Sequence, residues 1–218
     1  RMPGRCPFDG SRVVREGALY RCSNPRCGAR HRESLRHFVS RGAFDIRGLG
    51  AKHLDRFLEV GLIGDAADIF TLRKGDIAAL ERFGEQSAEN IVRAINARKK
   101  VPLARFLYGL GIQHVGEATA CLLTGELRSS GCRIRTIQDL VRCMHGFSPE
   151  RLEKVRDVGP KVAASIYGWF RDPRHVALLE KLERAGVRLV PDRGASGGEP
   201  LKGKAFVLTG SLTAMSRE

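Results

Sequence analysis

One pattern recurs four times between residues 46 and 166, and it constrains the fold more than any other feature of the chain. Each copy centres on a glycine: Gly50, Gly84, Gly116 and Gly159. An apolar residue stands one position before it (Leu49, Phe83, Val115, Val158) and another four before (Ile46, Leu80, Ile112, Val155). Four positions after comes a small or apolar residue (Leu54, Ala88, Ala120, Ala163), and seven after another apolar one (Phe57, Ile91, Leu123, Ile166). Each copy reads as one supersecondary unit, and such units bury their apolar faces by stacking on their neighbours.

Apolar residues three and four apart on either side of the glycine predict helix, tight turn, helix. The central glycine is expected to hold a turn conformation that a β-carbon would disfavour, and to let the backbone approach a partner closely. The small residue at the fourth position lets the two helices pack tightly. The second helix then opens with free N–H groups and the positive end of its dipole, a ready phosphate site. Repeat one carries both Gly48 and Gly50, with Lys52 in the first turn of the following helix. Repeat two offers Gln86 and Ser87 as neutral phosphate donors after Gly84; repeat three has Thr119 after Gly116. In repeat four Lys161 occupies the position of Gln86, and Pro160 suits the first turn of a helix.

This repeat resembles the helix-hairpin-helix DNA-binding motif, and four tandem copies resemble a helix-hairpin-helix domain. In that family the domain grips duplex DNA through the minor groove without reading sequence. The rival reading is a plain α-helical array with no ligand. The formal net charge of +14 and isoelectric point near 10.1 weigh against it, since nucleic acid is the first partner such a charge suggests. The 218 residues suggest one to two domains, and 42% hydrophobic residues suffice for real cores. No stretch reaches the roughly 18 apolar residues of a membrane span and no signal peptide opens the chain. The expectation is a cytoplasmic monomer without a membrane partner.

Ahead of the repeats, Cys6, Asp9, Cys22 and Cys27 are spaced C-x2-D-x12-C-x4-C. Paired ligands on two short turns are the usual way to build a tetrahedral zinc site. Asp9 stands where a second cysteine would complete the pattern and can ligate through oxygen; His31 is the alternative fourth ligand. A degenerate finger that has lost its metal is the third possibility. Six cysteines without a secretion signal favour metal in a reducing compartment over disulfides. Cys121, Cys132 and Cys143 lack paired-turn spacing and read as core or surface thiols. Gly17 between two apolar pairs predicts a small β-hairpin inside the finger. Residues 33–42 read as a short helix joining finger to repeats.

Between repeats two and three the basic run Arg98-Lys99-Lys100 fits equally a solvated helix end or a DNA contact. Residues 124–135 are polar and glycine-bearing and read as a loop that lengthens the spacing before repeat four. His114 reads as an exposed turn residue and Trp169 as core. A helix from Arg174 to Gly186 closes the domain. Residues 192–200 have linker composition. The apolar run into Thr209-Gly210 reads as a buried strand entering a turn, and resembles the opening of a BRCT domain. The fold class is therefore mainly α: a zinc-finger-like domain over 1–32 with a small zinc-ribbon-like β finger, a helix-hairpin-helix domain over 33–191, a linker over 192–200 and an incomplete BRCT start over 201–218.

This order resembles the C-terminal half of a bacterial NAD+-dependent DNA ligase. The segments from Glu33 to Arg41, from Ala104 to Ile112 with Val115 to Thr119, and from Val207 to Ser211 are similar to that family's wording. The chain departs from it at Asp9, where the family has cysteine, and at Gly28 after Cys27, where it usually has proline. The resemblance implies nick sealing in duplex DNA during replication and repair, in a nucleoid-associated enzyme. A lysine in a K-x-D-G motif takes AMP from NAD+ and, with Mg2+, passes it to the 5′-phosphate of the nick. That motif is absent here, so no catalytic residue is expected in this chain, and NAD+ and Mg2+ would be bound elsewhere in the parent enzyme. The chain opens at Arg1 rather than Met and stops at Glu218 just past the strand, which suggests further sequence on each side. The alternative is a non-enzymatic helix-hairpin-helix DNA-binding module of a repair or recombination protein, which leaves the finger and the BRCT-like end unexplained.

Overall fold

A computed structural model describes residues 2–81 and 83–190. The linker and BRCT-like readings lie outside the described residues. The finger comes first. Strands β1 (Val13–Glu16) and β2 (Leu19–Cys22) pair antiparallel, with Val13 opposite Cys22 and Glu16 opposite Leu19. Gly17 turns the chain between them at φ +66°, a value that glycine tolerates without strain. Helix α1 (Gly28–Val39) starts directly after Cys27, earlier than the joining helix expected from residue 33. Its inner face buries Leu35, Phe38 and Val39.

The four repeats follow. In repeat one a turn over 41–44 replaces the first helix, and α2 (Ala51–Glu59) is the second. Repeat two pairs α3 (Lys74–Ala78) with α4 (Glu85–Ala97); repeat three pairs α5 (Leu103–Gly109) with α6 (Glu117–Ser129). Helix α7 (Ile137–His145) intervenes, and repeat four pairs α8 (Pro149–Glu153) with α9 (Pro160–Arg171). Helix α10 (Pro173–Arg184) ends the array. The repeat positions do what their spacing implies: fourteen of the sixteen are buried, while Leu80 and Phe83 are partly buried against the same core. Ala88, Ala120 and Ala163, one on the second helix of each of repeats two, three and four, are fully buried. Truncating the fully buried Ile166 to alanine would cost about 2–5 kcal/mol.

Residues 124–135 are a loop only in their second half. Helix α6 continues to Ser129, burying Leu127, and the Thr124 hydroxyl donates to the Ala120 carbonyl at 2.9 Å. The longer spacing before repeat four comes from a whole extra helix, α7, whose Thr136 accepts from the Asp139 amide at 3.0 Å in a capping box.

Two devices tie the ends together. Strand β3 (Lys100–Pro102) pairs parallel with β4 (Arg188–Val190), joining the chain after repeat two to the chain after α10. Lys181 of α10 reaches Asp65 at 2.8 Å and Asp68 at 2.6 Å in the segment after α2. Phe38, Phe44, Phe70 and Phe106 interlock at centroid distances of 4.0 to 6.1 Å, so α1, repeat one and repeat three share one core. Trp169 stacks on His175 at 4.4 Å and stands edge-on to Phe170, a packing role as expected.

Candidate nucleic-acid interface and metal centre

The repeat turns share one geometry. In each, the amide of the residue before the glycine donates to the carbonyl three residues earlier: Leu49 to Ile46 (3.3 Å), Phe83 to Leu80 (3.1 Å), Val115 to Ile112 (3.0 Å) and Val158 to Val155 (3.1 Å). The left-handed residue of the turn is not the central glycine. It lies two positions earlier, at Gly48 (φ +83°), His114 (φ +67°) and Asp157 (φ +61°). His114 is exposed, as expected, but carries this backbone strain as well.

The central glycines have another role. Gly50, Gly84, Gly116 and Gly159 are the N-caps of α2, α4, α6 and α9, with φ between −81° and −90°, where any residue can sit. A β-carbon built at any of the four meets nothing within 4 Å. The fold therefore does not demand glycine there. Nor is glycine chosen as a strong cap: none of the four helices has a side-chain cap, whereas Thr136, Ser148 and Asp172 cap α7, α8 and α10. Four exposed helix N-termini are thus left open, their first intrahelical bond running from the fourth residue's amide back to the glycine carbonyl at 2.9–3.1 Å. Such termini carry partial positive charge and suit an anion.

The side chains around them divide into two kinds. Lys52 and Lys161 are exposed second residues of α2 and α9, and neither helix has an acid in its first turn. Three positions before the glycine stand Arg47 and Arg156, side chains 84% and 86% exposed. Sequence reading passed over these arginines, although their matched register was visible. Repeats two and three instead open on Glu85 and Glu117. Lys74 lies 2.9 Å from Glu85 and holds its carboxyl below the usual range. Gln86 and Ser87 are exposed, Thr119 half-buried, and Gln86 donates to Asn90 at 3.3 Å. His53 Nδ1 donates to the Gly48 carbonyl at 2.7 Å and its ring lies 4.9 Å from the Phe83 ring, which sets the turn of repeat one beside that of repeat two.

Other cations are committed to the fold. Arg171 lies 3.5 Å over the Tyr167 ring and donates to the His145 carbonyl at 2.8 Å. Arg98 holds Asp45, and Lys100 lies in β3; for Arg98 this is neither a solvated helix end nor a free cation but a part-buried tie within the fold.

In the finger, the ligand atoms of Cys6, Asp9, Cys22 and Cys27 all lie within 4.8 Å of one another and could hold a metal ion. The Cys6 and Cys27 sulfurs are 3.7 Å apart, and Cys22 Sγ is 3.5 Å from Asp9 Oδ1. Asp9 is also oriented from behind: Oδ1 accepts from the Ser11 amide at 3.0 Å and Oδ2 from Asn24 Nδ2 at 2.9 Å. The Ser11 amide, with Asn24 adding, keeps the Asp9 carboxyl well below the usual range. Burial pushes the Cys22 thiol up to about 11, with Cys6, Cys27 and Asp9 adding to it. His31 is not in the cluster; its Nε2 lies 2.9 Å from the Gly64 carbonyl. Cys121 is exposed, and Cys132 and Cys143 are partly buried against the core. Burial, with Cys132 beside it, pushes the Cys143 thiol up to about 12 and keeps it protonated at neutral pH.

Helices capped by open glycines and paired by buried alanines define a helix-hairpin-helix protein, and residues 42–97 match the SAM-like helix-hairpin-helix tandem family and residues 105–179 the helix-hairpin-helix motif family. Along its whole length the chain is 43% identical over 221 residues to the DNA ligase of Pelotomaculum thermopropionicum. It is 42% identical over 222 residues to that of Nitrosococcus oceani, and 43% over 220 to that of Desulforudis audaxviator. The chain is thus similar along its whole length to a part of bacterial DNA ligases, and it spans 31% of the length of these curated relatives. Among the described residues, no helix is long and apolar enough to cross a membrane.

Proposed function

We propose that this chain is the DNA-gripping part of an NAD+-dependent DNA ligase that seals nicks in duplex DNA during replication and repair. The observation that carries the reading is the set of four uncapped glycine N-termini whose glycines the fold itself does not require. A glycine kept where its own protein leaves room for a side chain is explained by something that must approach from outside. A backbone phosphate fits: it takes the free N–H groups, the dipole and the lysine beside them. Such contacts position a protein on DNA and carry no sequence information, so the grip is sequence-independent. Repeats one and four, with Arg47, Lys52, Arg156 and Lys161 and no acid in the helical first turn, are the stronger anchors. Repeats two and three, with Glu85 and Glu117, are the weaker ones.

The catalytic step, with NAD+ and Mg2+, falls to parts of the parent enzyme beyond this chain, and the isolated chain is inactive as a ligase. It acts as a monomer on nicked duplex DNA in the cytoplasm, at the nucleoid. The finger holds one zinc ion on Cys6, Asp9, Cys22 and Cys27. Tetrahedral zinc, at about 2.3 Å from sulfur and about 2.0 Å from oxygen, sets neighbouring donors about 3.8 Å apart for two sulfurs and about 3.5 Å for sulfur and oxygen. The separations of 3.7 and 3.5 Å in the cluster match both values.

The test is duplex affinity as a function of salt. Binding that falls steeply with ionic strength and is indifferent to sequence supports the grip, because each phosphate engaged releases counterions. A flat salt response overturns it. Intact mass of the natural parent protein after incubation with NAD+ and Mg2+ tests the enzymatic half. A gain of one AMP supports a ligase, and duplex binding without an adduct favours the non-enzymatic module.

A further inference from the structure

Repeat one is the only repeat among the described residues that lacks its own first helix, and what replaces it is held by side chains from elsewhere. The turn over 41–44 leads into Asp45, which sits at φ +51°. Arg98, the C-cap residue of α4, grips Asp45 twice: Nη2 donates to Oδ2 at 2.5 Å and Nε to the carbonyl at 3.1 Å. The two side chains are 34% and 18% exposed, so the pair is largely shielded from water. From the other side, Arg105 of α5 donates to the carbonyls of Arg41 and Gly42.

The position of this clasp matters. Helix α4 begins at Gly84, the open N-terminus of repeat two, and ends at Arg98. Asp45 immediately precedes the Ile46–Leu49 turn that carries Gly50, the open N-terminus of repeat one. The helix is therefore a strut with one phosphate site at its start and the anchor of the neighbouring site at its end. We propose that Arg98 and Asp45 are positioning residues: their clasp sets repeat one at the spacing from repeat two at which both N-termini engage the DNA backbone together. This rests on the backbone-gripping reading above. It assigns Arg98 a role other than phosphate contact, and Asp45, an acid, a role in favour of binding an anion.

That last point gives a test in which the sign decides. Asp45→Asn removes a negative charge and releases Arg47, whose Nε lies 3.9 Å away, so electrostatics alone makes DNA binding tighter. Asparagine also tolerates the left-handed backbone. If the clasp positions repeat one, the variant binds more weakly instead, by about tenfold at low salt, with a salt slope shallower by about one. Arg98→Lys keeps the charge but loses the two-point grip, and is expected to fall in the same direction. Lys52→Ala weakens the parent chain, but adds little in the Asp45→Asn background, because the two act through one contact. Asp45→Gly, which suits φ +51° at least as well, serves if Asp45→Asn melts below the assay temperature. The measurement is duplex affinity of the 218-residue chain across a salt series, with circular dichroism to verify folding. Asp45 variants that bind as tightly as the parent or tighter, with Arg98→Lys unchanged, overturn the proposal. A parent chain that does not bind duplex DNA at all overturns the grip itself, a distinguishable result.

Discussion

Replacing Gly50 by aspartate should move stability and DNA binding in opposite directions. Gly50 is an N-cap at φ −81° and ψ 176°, an extended conformation open to any residue, and a β-carbon there meets nothing within 4 Å. Aspartate is a better cap than glycine by a few tenths of a kcal/mol, and its charge at a helix N-terminus adds about 0.3–1 kcal/mol. The folded chain should gain about 0.5–1 kcal/mol, or about 1–4 °C in Tm for a domain of this size. The same carboxylate takes up the α2 amides and places a negative charge where the phosphate would sit. Losing one or two charge-assisted hydrogen bonds of about 1.5–3 kcal/mol each weakens binding by at least about tenfold. Gly84→Asp should lose less, because Glu85 already places a carboxylate in the first turn of α4. The assay is thermal melting alongside fluorescence anisotropy on a labelled nicked duplex. A Gly50→Asp chain that melts higher and still binds like the parent would refute the claim that these termini hold phosphate.

Gly159→Val should lower affinity equally for duplexes of different sequence while leaving the melting temperature within a few degrees, since its β-carbon also has open space; filter binding on two unrelated duplexes checks this. Chelation should unfold the finger, whose Phe8, Leu19 and Tyr20 are exposed and leave it little apolar core, while the helical signal of residues 33–190 persists; a finger whose amide spectrum survives chelation removes the zinc proposal. His114→Gly should raise stability by about 1 kcal/mol in a denaturant titration, because the residue is exposed and left-handed at φ +67°. His175 is half-buried against Trp169, and burial lowers its pKa against the favourable Trp169 carbonyl and Asp172. Its folded state binds the proton less well than the unfolded chain, so stability should be lost as pH falls below the ordinary histidine value of about 6.5. His175→Gln should flatten that part of the Tm profile.

Much of this was legible in the sequence, and the exceptions share a physical cause. The register of the repeats could be read because burial at −4, −1, +4 and +7 is enforced by helix geometry alone, and Ile46, Val115, Ala120 and Ile166 obey it. The convergence of the finger's four candidate ligands could be read from two short turns, because Cys6, Asp9, Cys22 and Cys27 come together through local spacing and one β-hairpin. The left-handed position could not, because only Gly48 advertises it; His114 and Asp157 adopt it under the pull of the turn's hydrogen bond. Glycine and serine content concealed the second half of α6, where Gly125 sits inside a helix that Leu123 and Leu127 bury. The pairing of Lys100–Pro102 with Arg188–Val190 has no local signal at all, since three-residue strands so far apart meet only once the core exists. His31 likewise answers to Gly64, a residue that spacing does not connect to it.

The contrast between capped and uncapped helices carries this further. Thr136, Ser148 and Asp172 cap α7, α8 and α10 with side chains, whereas α1, α3 and α5 start without a side-chain cap as the four glycine-opened helices do. Against glycine, a cap of that kind is worth a few tenths of a kcal/mol. Leaving four helices on glycine forgoes about 1 kcal/mol in all, a measurable part of the 5–15 kcal/mol that separates folded from unfolded domains. Because a β-carbon fits freely at all four glycines, packing gives no reason for that sacrifice. A ligand that supplies the missing acceptors does, and the chain should then melt higher with duplex bound, by the amount its affinity and concentration set. Substituting aspartate at all four glycines should raise the melting temperature of the free chain and abolish its further rise with added duplex. If the fourfold variant is still stabilised by duplex, phosphate contacts lie elsewhere on this surface.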